Sequence, residues 1–143
     1  MSAAVITWDD FVAGVRSRVA GRPIDVWSEG NMVSLSAGAV AADGEVEPVH
    51  VGLQDFGDGM VRITTGWYTT VSADYTSNSG ETSRALALLD GILDGNVEES
   101  AYLDDAGALV GISARVWHAF GDSASSQGRT GGRWHHRRLP RWP

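Results

Sequence analysis

The sequence predicts an α+β fold in which an antiparallel sheet of about six strands carries two helices on one face, in the order α-β-β-β-β-α-β-β. Three observations support this prediction. Two segments repeat apolar residues at helical spacing, several short segments alternate apolar and polar residues, and Asp-Gly turns separate the alternating segments. The chain has 143 residues, which is a suitable length for a single domain.

The first helix is predicted to follow Thr7. Its hydroxyl can cap the helix while the Asp10 carboxylate bonds back to the cap, as in a capping box. Gly14 weakens the helix interior but permits a close approach by another element. Gly21 and Pro23 end the helix. Its apolar stripe consists of Trp8, Phe11, Val12, Val15 and Val19.

Four antiparallel strands are predicted next. The segment IDVWSEGNMVSLSAG reads as two short strands around a turn at Gly30, and residues 49–53 and 61–71 supply two more. The Asp-Gly pairs that begin at Asp43 and Asp58 provide the intervening turns. The polar segment SADYTSNSGETS, which follows, shows no period and is predicted to be a long loop or a fraying strand end.

A second helix is predicted to begin at Ser79 or Thr82 and to end at Gly95. Its apolar residues are Leu86, Leu89, Ile92 and Leu93. A last hairpin is predicted to turn near residues 105–107. One face of its final strand carries Val110, Ile112, Ala114, Val116, His118 and Phe120.

The C-terminal segment has a different composition. Residues 122–132 are rich in Gly and Ser without periodicity, which predicts a flexible linker. The basic stretch GRWHHRRLPRWP follows. Residues 1–121 are therefore predicted to form the domain, and residues 122–143 to form a linker and a basic tail. The protein's own acidic body is the expected partner of this tail, and an external anion, including single-stranded nucleic acid, is the alternative.

Charge and composition set the expected class of protein. The net charge is −7, yet residues 129–143 carry five arginines and no acid, so the remaining residues sum to −12. An acidic body suits a basic protein partner or simply solubility, and it disfavours nucleic acid except through the tail. Arginine is the only basic residue used, which indicates a GC-rich bacterial coding sequence. Without a signal or membrane-spanning segment, the sequence predicts a cytoplasmic protein.

No catalytic, cofactor or metal motif is recognisable in the sequence. The chain has no cysteine, which excludes disulfides and sulfur-ligated zinc sites. His135 and His136 are adjacent, so their side chains diverge in an extended strand and do not form a metal pair. His118 is interpreted either as a packed core residue or as the rim of a pocket. No cofactor or metal is therefore predicted, and the sequence favours a protein that is not an enzyme.

Aromatic and acidic residues supply the candidates for a partner-binding surface, because aromatic anchors ringed by charges are typical of protein interfaces. The alternative for the aromatic residues is that helices cover both faces of the sheet, or that the rings cap the ends of the sheet. The candidates are Trp27, Trp67, Tyr68, Glu98, Glu99, Asp104, Asp105 and Trp117.

The predicted layout between Thr7 and Phe120, together with the acidic charge, resembles that of small bacterial secretion chaperones and of immunity proteins, which neutralise toxins. The resemblance implies a non-enzymatic protein-binding module with a protein partner. The alternative hypothesis is a small-molecule-binding domain or enzyme with a pocket between sheet and helices. Homo-oligomerisation through an exposed sheet face is a further hypothesis for the partner.

Overall fold

The computed structural model describes residues 4–67, 69–79, 82–129 and 133–143. Within these residues the chain forms two helices, two antiparallel sheets of five and four strands, and a short two-stranded ladder. The α+β class and the antiparallel pairing are confirmed. The prediction of one sheet with about six strands is wrong, because the strands are more numerous and divide between two sheets.

Helix α1 (Trp8–Val19) begins at the predicted cap. The Thr7 hydroxyl accepts the backbone N–H of Asp10 at 3.1 Å, and the Asp10 carboxylate accepts the backbone N–H of Thr7 at 3.0 Å. This reciprocal capping box satisfies two N–H groups that the first turn leaves without helical partners. The buried residues of the helix are Phe11, Val15 and Val19, three members of the predicted stripe.

The first sheet is a meander whose five strands pair in sequence order. The sequence predicts four strands because residues 61–71 read as a single one. In the structure the chain turns after Gly66, whose φ of +60° is accessible to glycine at low cost. The strands are β1 (Asp25–Glu29), β2 (Met32–Val40), β3 (Val46–Asp55), β4 (Met60–Thr65) and β5 (Thr69–Asp74).

A short ladder of β6 (Asn78–Ser79) and β7 (Thr82–Ser83) leads into helix α2 (Arg84–Leu93). The hydroxyl of Ser83 caps this helix by accepting the N–H of Leu86 at 3.3 Å. The prediction of a cap at Ser79 or Thr82 is therefore corrected. Hydroxyl residues recur through this segment and all of them suit a cap chemically, so composition alone does not choose among them.

The second sheet contains four strands in the order β10-β9-β8-β11. They are β8 (Val97–Leu103), β9 (Leu109–His118), β10 (Gly121–Gly128) and β11 (Arg133–Arg138). The predicted linker thus contains all of strand β10 except Gly121, and the predicted tail contains strand β11. Both are edge strands. Strand β10 pairs through its backbone, and its small and polar residues do not alternate with apolar ones. The periodicity of the sequence therefore did not reveal this strand.

Helix α2 is buried on nearly all sides, because it packs against α1, β5 and β9. Glycines permit close approaches between α2 and two of its neighbours. A Cβ atom at Gly14 of α1 would lie 2.5 Å from Leu86, and one at Gly91 of α2 would lie 2.4 Å from the carbonyl oxygen of Trp117. The close approach predicted for Gly14 is therefore confirmed. Neither described helix has the length and apolar character needed to cross a membrane.

The last five residues, 139–143, pack against the core. Leu139 and Trp142 are buried, and Trp142 donates its backbone N–H to the carbonyl of Leu93 at 2.9 Å. Arg22 reaches the same segment and donates to the carbonyl oxygen of Pro143 at 2.8 Å. The end of the chain is thus a packed part of the fold and is not a detached tail.

Candidate functional site

Two of the predicted partner-binding residues, Trp67 and Glu99, meet where the β4–β5 turn reaches the second sheet. Trp67 donates its backbone N–H to Oε1 of Glu99 at 3.1 Å. The hairpin that contains Asp104 and Asp105 borders the same region. Tyr68, the neighbour of Trp67, lies outside the described residues. This junction of the two sheets is the candidate functional site.

Glu99 is a buried carboxylate, with a side chain that is 1% exposed. Its Oε2 accepts the Thr69 hydroxyl at 3.0 Å, and its Oε1 accepts Nε of Arg137 at 3.1 Å. A buried carboxylate is tolerated when its oxygens accept hydrogen bonds and a cation lies beside it. Glu99 therefore ties the β4–β5 turn to β8 and β11, and it is not available on the surface for a partner.

Gly66 makes this arrangement possible. A Cβ atom at Gly66 would lie 2.6 Å from Oε1 of Glu99, which is closer than van der Waals contact allows. The residue also has a positive φ, so both its backbone conformation and its lack of a side chain are required. The backbone of the β4–β5 turn can therefore pack directly against the Glu99 carboxylate.

Arg137 joins the buried and exposed parts of the site. Its guanidinium carbon lies 3.8 Å from the centroid of the Trp67 ring, a short cation–π contact. Trp67 is 71% exposed, although its backbone is held by Glu99. The ring and the guanidinium form a stacked pair at the surface, and the ion pair beneath limits the motion of the arginine.

A cleft of about 430 Å³ lies on one side of the Trp67–Arg137 pair. It is bounded by the turn, by the β8–β9 hairpin and by β11, and its lining includes Ala101, Leu103, Leu109 and His135. A second hollow of about 440 Å³ lies on the other side of the pair, against β2 and β3. Trp67 and Arg137 thus separate two concave surfaces of mainly apolar lining.

The acidic residues of the β8–β9 hairpin do not form a single surface. Glu99 points inward, whereas Glu98 lies on the solvent face of β8 opposite Arg115 and Arg138. The carboxylate of Asp104 accepts the N–H groups of Ala106 and Ala108, at 3.0 and 2.8 Å, and so shapes the turn. Asp105 is exposed.

The remaining candidates lie on separate faces. Trp117 is on the solvent face of the second sheet, where the guanidinium carbons of Arg115 and Arg138 each lie 5.3 Å from its ring centroid. Trp27 is on the solvent face of the first sheet and is 52% exposed. The structure therefore does not bring these two tryptophans to the cleft.

His118 is half-buried at the end of β9. Its Nδ1 accepts the backbone N–H of Phe120 at 3.3 Å, so the neutral ring carries its proton on Nε2. That nitrogen lies 3.5 Å from the Ser123 hydroxyl. Because Nε2 is protonated in this tautomer, it cannot take the serine proton as a general base.

The pKa of His118 lies below its ordinary value. Burial is the main cause, and Arg84 acts in the same direction while Asp122 opposes both. The neutral imidazole is therefore favoured, and its contacts are those of a packed side chain.

Among the described residues, no cluster of three or more His, Asp or Glu side chains is arranged to hold a metal ion. The adjacent histidines of β11 diverge as predicted for an extended strand. His135 lies opposite Ala101 on the inner face, and Nδ1 of His136 lies 3.1 Å from the Ser100 hydroxyl on the outer face.

Sequence reasoning did not identify Gly66, Thr69 or Arg137 as site residues. Arg137 was included only in a basic segment, because its role depends on the β8–β11 register that places it opposite Glu99. The Gly-Trp pair in a run of threonines was the available signal for the turn. Comparison with known proteins finds no matching family model, no matching curated protein and no matching solved structure.

Proposed function

We propose that the chain is a non-enzymatic binding protein whose protein partner contacts the cleft beside Trp67. One observation carries the proposal: Trp67 is largely exposed, yet its backbone and its stacked arginine are both held by the buried Glu99. A rigid aromatic ring at the surface loses little conformational freedom when a partner covers it. Tryptophan and arginine are also the side chains most enriched among the residues that dominate binding energy.

The finer proposal is that this protein belongs to the functional class of toxin-neutralising or secretion-chaperone proteins. Its support is the strongly acidic body and the absence of a recognisable catalytic motif. The cleft itself offers a cation and an apolar lining. The residues at the cleft thus favour an acidic or apolar partner segment, whereas the acidic body elsewhere would attract basic partners over longer distances.

The test is affinity capture from the native host with the full chain, followed by measurement of binding to the purified partner. Trp67→Ala should lose the captured protein, because it removes the proposed anchor. Trp27→Ala is the matched control, since it also removes an exposed tryptophan from a sheet protein but lies away from the cleft. Circular dichroism must show that both variants fold. A partner retained equally by both variants would contradict the proposed site.

A small-molecule-binding role is the second candidate, because a cleft of about 430 Å³ lies within the range of small-molecule sites. A thermal-shift screen of metabolites separates the two functions. A compound that stabilises the wild type and the Trp27→Ala variant but not the Trp67→Ala variant, in the absence of any Trp67-dependent protein partner, would favour the small-molecule function.

A further inference from the structure

Strand β11 lies at one edge of the second sheet, and no described strand pairs with its outer side. The register shows which of its residues face that side. Leu139 donates its N–H to the carbonyl of Val97, and Arg137 lies opposite Glu99 two residues earlier. Bonded and non-bonded pairs alternate in an antiparallel ladder. The backbone groups of Trp134 and His136 therefore point toward the open edge.

Arginine side chains occur on both faces of this strand, and histidines lie beside them. His135 and Arg137 lie on the inner face beside the cleft, and His136 and Arg138 lie on the outer face. Arginine on an exposed edge strand ordinarily discourages pairing with other strands. The same charges favour pairing with a strand of opposite charge, because opposite charges across a ladder stabilise it.

We infer that the open edge of β11 binds an extended acidic segment of the protein partner, which adds to the second sheet as a further strand. This inference rests on the proposed function and specifies the chemistry of the partner. The backbone of β11 would supply hydrogen bonds, Arg137 would receive a carboxylate, and the apolar part of the cleft would receive a neighbouring apolar side chain. Arg137 is held by Glu99 and Trp67 before binding, which lowers the entropic cost of recognition.

Charge also argues against a second copy of this strand as the occupant. An antiparallel pair of β11 strands would bring the arginines of both chains together at one edge. Like charges that face each other across a ladder are destabilising. An acidic segment has no such like-charge penalty at β11. The negative charge of the rest of the protein would repel the segment from other surfaces, which restricts its binding to this edge.

The probe is a fluorescently labelled, capped peptide of about eight residues in which Glu and Val alternate, because this length matches a typical strand. A Lys-Val peptide is the charge-reversed control. Fluorescence anisotropy with the full chain should show binding of the Glu peptide that weakens as salt rises, since part of the affinity is electrostatic. Equal binding of the Lys peptide would overturn the inference.

Two variants at one position test the backbone contact. His136→Pro removes the outward N–H, whereas His136→Ala removes the same side chain and keeps that N–H. Loss of a backbone hydrogen bond should weaken peptide binding about tenfold in His136→Pro relative to His136→Ala. Equal affinity of the two variants would overturn the inference. If the proline variant does not fold, amide exchange of the wild type decides: the Trp134 and His136 amides should exchange more slowly with the peptide present, and unchanged exchange would refute the contact.

The outcomes separate this inference from the proposed function. A captured partner that is lost from Trp67→Ala but is bound equally by the two His136 variants would overturn the edge contact and leave the binding function standing. Salt-dependent binding of a single-stranded oligonucleotide through Trp134, with no binding of the Glu peptide, would overturn the inference in favour of a nucleic-acid ligand. Sedimentation that shows dimers disrupted by His136→Pro would assign the edge to a second copy instead.

Discussion

Glu99 and Arg137 form an ion pair, 3.1 Å from Oε1 to Nε, in which the carboxylate is buried and the guanidinium reaches the surface beneath Trp67. The pair joins β8 to β11, the strand that follows the predicted linker. It also couples the turn of the first sheet to the second sheet through the Trp67 N–H. The stability of the fold and the shape of the candidate site therefore depend on the same carboxylate.

Replacing Glu99 by Gln should lower the free energy of unfolding by roughly 3 kcal/mol, because it leaves the arginine without its charged partner and places an amide donor among donors. Glu98→Gln is the adjacent control and should change stability by less than about 0.5 kcal/mol, since Glu98 lies on the solvent face. Urea unfolding followed by circular dichroism measures both. Equal losses in the two variants would show that the buried pair has no special role.

Gly66→Ala should destabilise the protein by about 3 kcal/mol, because it combines a strained positive φ with a collision against Glu99. Gly30→Ala isolates the first effect. Gly30 has a φ of +55°, but nothing lies within 4 Å of the position that a Cβ atom would take. Its replacement should cost only about 1 kcal/mol. The difference between the two urea midpoints measures the collision, and no difference would argue against the close contact.

Trp142→Ala should lower the free energy of unfolding by about 3–5 kcal/mol, as expected for a large ring removed from a core. Trp142 is 4% exposed, whereas Trp134 of β11 is 55% exposed. Trp134→Ala should therefore cost less than about 1 kcal/mol. Thermal unfolding of the two variants gives the comparison. Similar melting temperatures would mean that the C-terminal segment is not packed as the structure has it.

His118 predicts a pH dependence of stability. Its pKa in the folded state lies below the ordinary value of 6.5, mainly because burial disfavours the charged ring. The unfolded state therefore binds the proton first as the pH falls. The contribution of His118 to stability is complete above about pH 6.5 and decreases as the pH falls from 6.5 toward the folded-state pKa.

The measurement is the urea midpoint at about pH 7.5 and about pH 5.5, on either side of the ordinary histidine value. The decrease between these two conditions should be smaller in His118→Gln than in the wild type, because the variant has no ring to protonate. An unchanged decrease would assign the pH dependence to other groups. Retained partner binding by this variant would agree with a packing role for His118.

The sequence predicted local structure well wherever side-chain burial is periodic. The capping box of Thr7 and Asp10, the stripe of α1 and the alternation along β2 all appear in the structure. These features depend on neighbours a few residues apart, so a single sequence carries the information. The end of α2 at Leu93, with Asp94 as the C-cap and Gly95 next to it, follows the same rule.

The candidate site was only partly predictable, because its contacts join residues that are far apart in the sequence. Trp67 and Glu99 were both chosen from the sequence, but as surface residues of one acidic, aromatic patch. Their direct contact spans thirty-two positions of the chain, and Glu99 is buried because the β4–β5 turn packs against its carboxylate and Arg137 of β11 lies beside it. No local pattern indicates that a basic strand after a Gly-Ser segment will return to pair with β8.

The sequence by itself determined the α+β class, the cap of α1, most strands and the separation of an acidic body from a basic end. Only the tertiary structure decided that the strands divide between two sheets, that residues 121–128 pair as β10, and that Trp142 enters the core. The physical reason is that edge pairing uses backbone hydrogen bonds, in which every residue type can accept and every type except proline can donate. Side-chain patterns do not record such pairing. They also do not indicate which carboxylate becomes buried, as Glu99 does, through contacts with residues far away in the sequence.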